Sequence, residues 1–292
     1  MGSGLSLKKL QQRFAILVVV AFFSCVMPVR LPAESSGLAP AISLDAGFRL
    51  LYDLDFGQAH KVFSAWEQVH PEDPLGPVSD AAGLLFSEFD RLGVLESQFY
   101  ASDGAFAARK QLTPDPTVRD RFEAALDLAE NRAHARLSRN PKDRDALFAL
   151  TLAAGLRGDY AALIEKRNLV ALHYKKEASM WAGQLLAVDP TCYDAHLATG
   201  FTKYIVGSMS LPMRWILRLG GVQGDKEAGI AELKITAQHG RYLAPMARIM
   251  LAIADVRDKN YSGAREILTA LHQEFPKNPL FPREMARLDK EQ

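Results

Sequence analysis

FGQAHKVFSAWEQVHPEDPLGP at residues 56–77 and YSGAREILTALHQEFPKNPLFP at residues 261–282 follow one pattern, 205 positions apart. Each stretch opens with an aromatic residue, has alanine at its fourth and tenth positions, and ends in three prolines at the same spacing. Small residues let neighbouring helices approach closely, and prolines stop a helix. The displacement is close to six times a period of roughly 34 residues, which is typical of stacked helix pairs. The sequence therefore predicts an all-α fold, a solenoid of antiparallel helix pairs.

The composition is that of an ordinary globular chain. Its 292 residues are 48% hydrophobic and 24% charged, and 35 Lys and Arg stand against 34 Asp and Glu. A net charge of +1 supplies no general attraction to a polyanion, so we expect no nucleic-acid partner. Few segments alternate apolar and polar residues, so strands are not expected.

Residues 1–33 have the layout of a secretory signal. Lys8, Lys9 and Arg13 precede an apolar stretch at residues 14–29, and small and polar residues follow it. The apolar stretch is shorter than the roughly 20 residues that a membrane-spanning helix needs. We therefore expect cleavage after Ala33, a flexible tether at residues 34–40, and export of the remainder to the periplasm or another extracytoplasmic space.

The same N-terminus supports a membrane-anchored alternative. Cys25 follows the small Ser24, as in bacterial lipoprotein signals, although Phe22 and Phe23 depart from that pattern. An uncleaved apolar segment would also hold the chain at a membrane. Without this segment Cys192 is the only cysteine of the mature part, so no intramolecular disulfide can form there.

Apolar residues at three- and four-residue spacing predict helix pairs over residues 41–292. The clearest pair covers residues 243–257 and 261–275, and further helices are predicted over residues 80–98 and 117–138. On the last of these, several charged residues lie about one turn apart, which we interpret as a solvated face with weak ion pairs. They are Arg119, Glu123, Asp127, Arg132 and Arg136.

A short turn motif links several of the predicted helices. Gly158-Asp159-Tyr160 reappears in part as Asp55-Phe56, Gly224-Asp225 and Asn260-Tyr261. Glycine allows a tight turn, and Asp or Asn caps the next helix. These features resemble the tetratricopeptide repeat (TPR) over residues 41–292. The resemblance implies a right-handed α–α solenoid whose concave surface binds a protein or peptide.

Residues 207–224 are too long and too apolar for the turn inside a helix pair, so we interpret them as an insertion. Arg214 and Arg218 fall one turn apart, with Trp215 on the adjacent strip, which predicts a short amphipathic helix with a basic edge. This helix either packs on its own solenoid or contacts a partner or a membrane surface. Arg214, Trp215 and Arg218 are the candidate contact residues.

The nearest approach to a reactive cluster is Cys192, Asp194 and His196. On a helix, Cys192 and His196 would lie one turn apart and face one metal ion. Zinc sites use three or four protein ligands, and no second ligand pair has suitable spacing, so packing and capping explain these residues better. Nucleophile-turn, zinc-protease and calcium-loop patterns are all missing from the sequence. We therefore expect no catalytic, cofactor or metal site.

The leading hypothesis is an exported, non-enzymatic TPR-like scaffold or adaptor of the cell envelope that binds a protein or peptide. A lipid- or helix-anchored, membrane-associated assembly factor is one alternative. An enzyme or metal-binding protein that uses Cys192 and His196 is another.

Overall fold

Helices account for all of the regular secondary structure in the computed structural model, which describes residues 42–96, 112–209 and 224–290. All of these residues belong to one compact unit, Pro40–Gln292. The described part confirms the predicted all-α class. In chain order its α-helices are α1 (Leu44–Tyr52), α2 (Phe56–Val69), α3 (Leu75–Arg91), α4 (Pro116–Arg139), α5 (Arg144–Leu163), α6 (Asn168–Val188), α7 (His196–Ser208), α8 (Lys226–His239), α9 (Ala244–Arg257), α10 (Tyr261–Glu274) and α11 (Leu280–Leu288), with a short 3-10 helix, Tyr193–Ala195, before α7.

The two similar stretches of sequence form two similar structural units. The α1–α2 and α9–α10 turns both place a residue in the left-handed region, Leu54 at φ 59° and Lys259 at φ 61°. The next residues cap the second helix, because Asp55 accepts from Gln58 N at 3.3 Å and Asn260 accepts from Gly263 N at 3.2 Å. Both second helices are 14 residues long, so the register of 205 residues is kept in three dimensions.

Four loops that connect one helix to the next share an Asx-Pro turn. In each, the side chain of the Asp or Asn before the proline accepts a hydrogen bond from the backbone N–H two residues further on. The acceptors are Asp73, Asn140, Asp189 and Asn278, at distances of 3.0, 3.1, 2.9 and 2.9 Å. Because these turns bond locally, each of them is specified by the sequence around it.

Successive loops contact one another along one edge of the molecule. Arg136 at the end of α4 lies 3.7 Å from the Asp73 carboxylate, and Arg144 lies 3.2 Å from that of Asp189. Further along, the Asp194 carboxylate accepts from Arg241 N at 3.0 Å. This edge therefore brings together residues that start helices far apart in the sequence.

The first helix crosses this edge and joins the two ends of the described array. Asp45 in its first turn pairs with Arg241, and Arg49 donates to Glu274 O at 3.0 Å. At its last residue, the Tyr52 hydroxyl donates to Tyr242 O at 3.0 Å, and Tyr52 O accepts from Asn278 Nδ2 at 2.8 Å. Helix α1 thus spans the loops that precede α9 and α11.

Helix α5 forms the centre of the packing and is apolar on most of its surface. Among the described residues it is the one helix long and apolar enough to cross a membrane, and 67% of the apolar window is buried inside the protein. Its buried side chains include Leu147, Phe148 and Leu150, all in the main hydrophobic core. Burial against the neighbouring helices accounts for this apolar character.

Helices α7 and α8 approach so closely that glycine is required at the contact. A Cβ on Gly229 would lie 2.4 Å from Tyr204 N, and one on Gly207 would lie 2.3 Å from Lys226 N. Asp225 N also donates to Lys203 O at 3.1 Å. The glycines therefore bring the end of α7 next to the start of α8, where the predicted insertion leaves and rejoins the array.

The expected turn at Gly158-Asp159-Tyr160 is wrong, because these residues lie inside α5. The turn occurs at Lys166 instead, which has φ 57°. Gly158 allows close approach of Ala171 O, 3.3 Å from a Cβ at that position. Tyr160 stacks on Phe122 at 5.4 Å between ring centroids. These residues therefore serve helix packing rather than a turn.

Two further expectations also differ from the structure. Helix α3 ends at Arg91 rather than residue 98, because Gly93 adopts a left-handed φ of 69°, a common helix terminator. The charged face of α4 is not simply solvated. Arg157 from α5 pairs with Glu123, Asp127 and Glu130, and the Arg132 guanidinium lies 3.1 Å from Glu67 on α2. The charges on α4 therefore connect helices.

Candidate functional site

A cavity of about 240 Å³ lies on the edge where the loops meet. Its walls come from the first residue of α3, the first five residues of α5, the segment 191–194, and the end of α8 with the loop that follows it, including His239. Four parts of the chain far apart in sequence therefore build one site. Leu75, Phe148 and Tyr242 form much of its apolar wall and are nearly buried.

Asp194 fixes one wall of this cavity. The residue is 5% exposed, and its carboxylate accepts from three consecutive backbone groups, Arg241 N at 3.0 Å, Tyr242 N at 3.2 Å and Leu243 N at 2.9 Å. Helix α9 has no side-chain cap from its N-cap residue, Leu243, and Asp194 instead anchors the three backbone N–H groups that lead into the helix. Burial raises the pKa of the Asp194 carboxyl, and the three N–H donors oppose that shift.

The two arginines that line the cavity already have carboxylate partners. Arg241 Nε and Nη2 lie 2.8 and 2.7 Å from the two oxygens of Asp45, and the guanidinium lies 4.9 Å from the centre of the Tyr242 ring. The hydrogen bond to Asp45 raises the pKa of Arg241 above its usual value. Arg144 Nη2 lies 3.2 Å from an oxygen of Asp189. Both positive charges are therefore largely compensated within the protein.

The negative charge of Asp145 is less well neutralised by nearby arginines. Within the described residues its ion-pair partners are Arg136 at 3.6 Å and Arg144 at 3.8 Å, and both distances exceed that of a hydrogen bond. Its side chain is 44% exposed. Burial raises the pKa of the Asp145 carboxyl, Arg136 opposes the shift, and the nearby Asp73 carboxylate adds to it. Asp145 therefore places a poorly paired negative charge at the cavity wall.

The predicted cluster of Cys192, Asp194 and His196 is only partly assembled. Cys192 and Asp194 line the cavity, whereas His196 does not. Cys192 also lies before the 3-10 helix rather than one turn from His196 on a shared helix, so that expectation is wrong. Burial, with a contribution from Asp194, raises the pKa of the Cys192 thiol to about 11. At neutral pH the sulfur is therefore protonated and a weak nucleophile.

Other predicted residues fall elsewhere. Arg214, Trp215, Arg218 and Cys25 lie outside the described residues. In the part of the chain that is described, no group of three or more His, Cys, Asp or Glu is placed to hold a metal ion. Sequence reasoning missed Asp145 and Arg241 as site residues. The available signal was the recurring Asp-Pro or Asn-Pro loop, which marks the edge where the cavity forms.

The chain matches no protein-family model, no curated protein sequence and no solved structure. The fold and the cavity therefore carry the functional argument alone.

Proposed function

We propose that this protein is a non-enzymatic, TPR-like helical-repeat scaffold that binds a protein or peptide partner in the cell envelope, outside the cytoplasm. The observation that carries the proposal is the cavity at the loop edge. Loops of successive helix pairs build it together, and Asp194 holds its wall through three hydrogen bonds. A site built this way is preformed, so little ordering is needed when a partner docks.

The dimensions of the cavity favour a piece of a macromolecule over a small-molecule substrate. Pockets for drug-sized ligands and cofactors usually occupy about 300–1,000 Å³, and this one is about 240 Å³. It suits one or two side chains from the surface of a partner. The raised thiol pKa of Cys192 gives the enzymatic alternative no activated nucleophile in this cavity.

Site-specific photocrosslinking in cells tests the proposal directly. A benzophenone amino acid at Thr191, an exposed residue that lines the cavity, is expected to form an adduct with one discrete protein. The matched control carries the same group at Lys61, which is exposed on α2 and does not line the cavity. Equal adducts at Thr191 and Lys61, or no adduct at Thr191, would contradict the proposal.

The insertion is a second proposed contact. Its two ends, Gly207 and Gly224, meet at the close α7–α8 contact. Arg214, Trp215 and Arg218 would contact the partner, with a membrane surface as the alternative. The test is a Trp215→Ala, Arg218→Ala double variant, in which the yield of the Thr191 adduct and flotation with lipid vesicles are measured. If both equal those of the wild type, the insertion plays no part in binding.

The proposed location depends on the N-terminus. Mass analysis of the mature chain is expected to find a start at Glu34. A diacylated Cys25 or an intact Met1 would instead favour the membrane-anchored assembly factor.

A further inference from the structure

The charged side chains that line the cavity differ in how well other residues of the protein neutralise them. Arg241 is held by two short contacts to Asp45, and Arg144 by Asp189 at 3.2 Å. Among the described residues, the contacts of Asp145 are at 3.6 and 3.8 Å, to arginines that also pair with other carboxylates. Of these three charged groups, the one with the weakest internal contacts is therefore a carboxylate, which accepts hydrogen bonds and attracts a cation.

The pKa values of two neighbouring groups are shifted by burial and by nearby charges. Burial is the main cause that raises the pKa of the Tyr242 hydroxyl to about 12. Arg241 opposes the shift, and the carboxylates of Asp45, Asp194 and Asp145 add smaller contributions to it. In the same way Asp194 and Asp189 add to the raised thiol pKa of Cys192, against Arg144. Burial is the main reason that both groups are harder to ionise, and nearby carboxylates add to it.

One part of the remaining wall is apolar and suits an aliphatic stem. Leu75, Phe148 and Tyr242 present carbon atoms to the cavity, and the Phe148 and Tyr242 rings stack with centroids 6.1 Å apart. Lysine and arginine combine an apolar stem with a charged tip and commonly bury the stem while the tip meets a polar group. At about 30 Å³ per water molecule, the cavity has room for about eight waters, comparable to one long side chain.

We propose that the cavity receives a lysine or arginine side chain of the partner, with its stem against Leu75 and Phe148 and its positive charge at Asp145. This inference rests on the proposed scaffold function and names the chemistry of its contact. The protein thus recognises a basic residue at the surface of its partner. The ammonium or guanidinium group neutralises the Asp145 carboxylate, which the arginines of this chain neutralise only weakly.

The test uses the full-length, isotope-labelled protein and four small probes. These are the methylamides of Nα-acetyl-lysine, Nα-acetyl-arginine, Nα-acetyl-norleucine and Nα-acetyl-glutamate, titrated while the backbone N–H signals of Thr191 and Cys192 are followed. We expect saturable shifts with the lysine or the arginine probe and at least tenfold weaker binding by the neutral and acidic probes. Equal binding of norleucine, or preferential binding of glutamate, would overturn the proposal.

Asp145→Asn is the decisive variant because it removes the charge and keeps the shape. It is expected to weaken the basic probe at least tenfold, whereas Asp145→Glu should restore much of the binding. Asp120→Asn is the matched control, since Asp120 is an exposed carboxylate on α4 that pairs with the adjacent Arg119. Unchanged affinity in Asp145→Asn would rule out the assigned contact.

Combining these titrations with the Thr191 crosslink separates the two proposals. If the Thr191 adduct forms in cells and its yield is unchanged in the Asp145→Asn variant, the scaffold function is supported. The proposed binding of a basic side chain at Asp145 is then wrong. If the basic probes bind as expected but the wild type forms no adduct, the chemistry of the cavity stands and the scaffold function is wrong.

Discussion

Asp45 in the first helix and Arg241 in the loop before α9 form a two-point ion pair across 196 residues of sequence. The contact joins the start of the described array to its C-terminal part and lies beside the cavity, because Arg241 also lines it. The side chains are 45% and 66% exposed, so solvent screens the pair.

Asp45→Asn is expected to lower the free energy of unfolding by about 0.5–1 kcal/mol at neutral pH, as for other exposed pairs. The hydrogen bond from Arg241 lowers the pKa of Asp45 below its ordinary 3.8. A lowered folded-state pKa stabilises the protein above the unfolded-state value, and this contribution is lost as the pH falls through the folded-state pKa. The difference from wild type should therefore shrink below about pH 3.8.

Urea unfolding across this pH range measures the effect, with Asp120→Asn as the surface control. A stability difference that stays constant down to about pH 2 would show that Asp45 does not act through its charge.

Asp194→Ala should destabilise the protein by at least about 2 kcal/mol, because three backbone N–H groups, two of them buried, would lose their acceptor. Asp225→Ala provides the comparison. Asp225 is an ordinary N-cap that accepts from Ala228 N alone at 3.0 Å, and its loss should cost about 1 kcal/mol. Thermal and urea unfolding of the two variants should rank them in this order, and an equal cost would contradict the role given to Asp194.

Gly229→Ala should destabilise the protein by about 2 kcal/mol or more, since the added Cβ would meet the α7 backbone at 2.4 Å. Gly183→Ala on α6 should have the opposite effect. A Cβ there meets nothing within 4 Å, so the higher helix propensity of alanine should stabilise by about 0.5–1 kcal/mol. If both variants gain stability, helices α7 and α8 are farther apart than described.

Lys259→Gly should stabilise the α9–α10 turn by about 0.5 kcal/mol, because Lys259 is exposed and has φ 61°, which glycine adopts without strain. Lys142→Gly is the control, an exposed loop lysine that does not have positive φ. It should destabilise by up to about 1 kcal/mol, since glycine only adds freedom to the unfolded chain. Calorimetry of both variants checks the signs, and equal signs would refute the explanation.

Local features of this protein were predictable from neighbouring residues. The helices α9 and α10 follow from apolar periodicity and differ from their expected bounds by one residue at one end each. The caps Asp55 and Asn260 act within three residues, so the sequence around them specifies them. Prediction failed at Gly158, because the surrounding sequence allows two local roles for this residue. Gly158 suits either a turn or a close helix contact, and only the position of α6 selects between them.

By itself, the sequence determined the all-α class, the repeated register of 205 residues and the helix caps, because hydrophobic periodicity and capping act over a few residues. Tertiary structure alone decided that α1 crosses to the far end of the array and that Asp145 and Asp194 share one cavity with Tyr242. Those contacts join segments tens to hundreds of residues apart. Their geometry depends on how all the helices between them pack, and no local pattern records that.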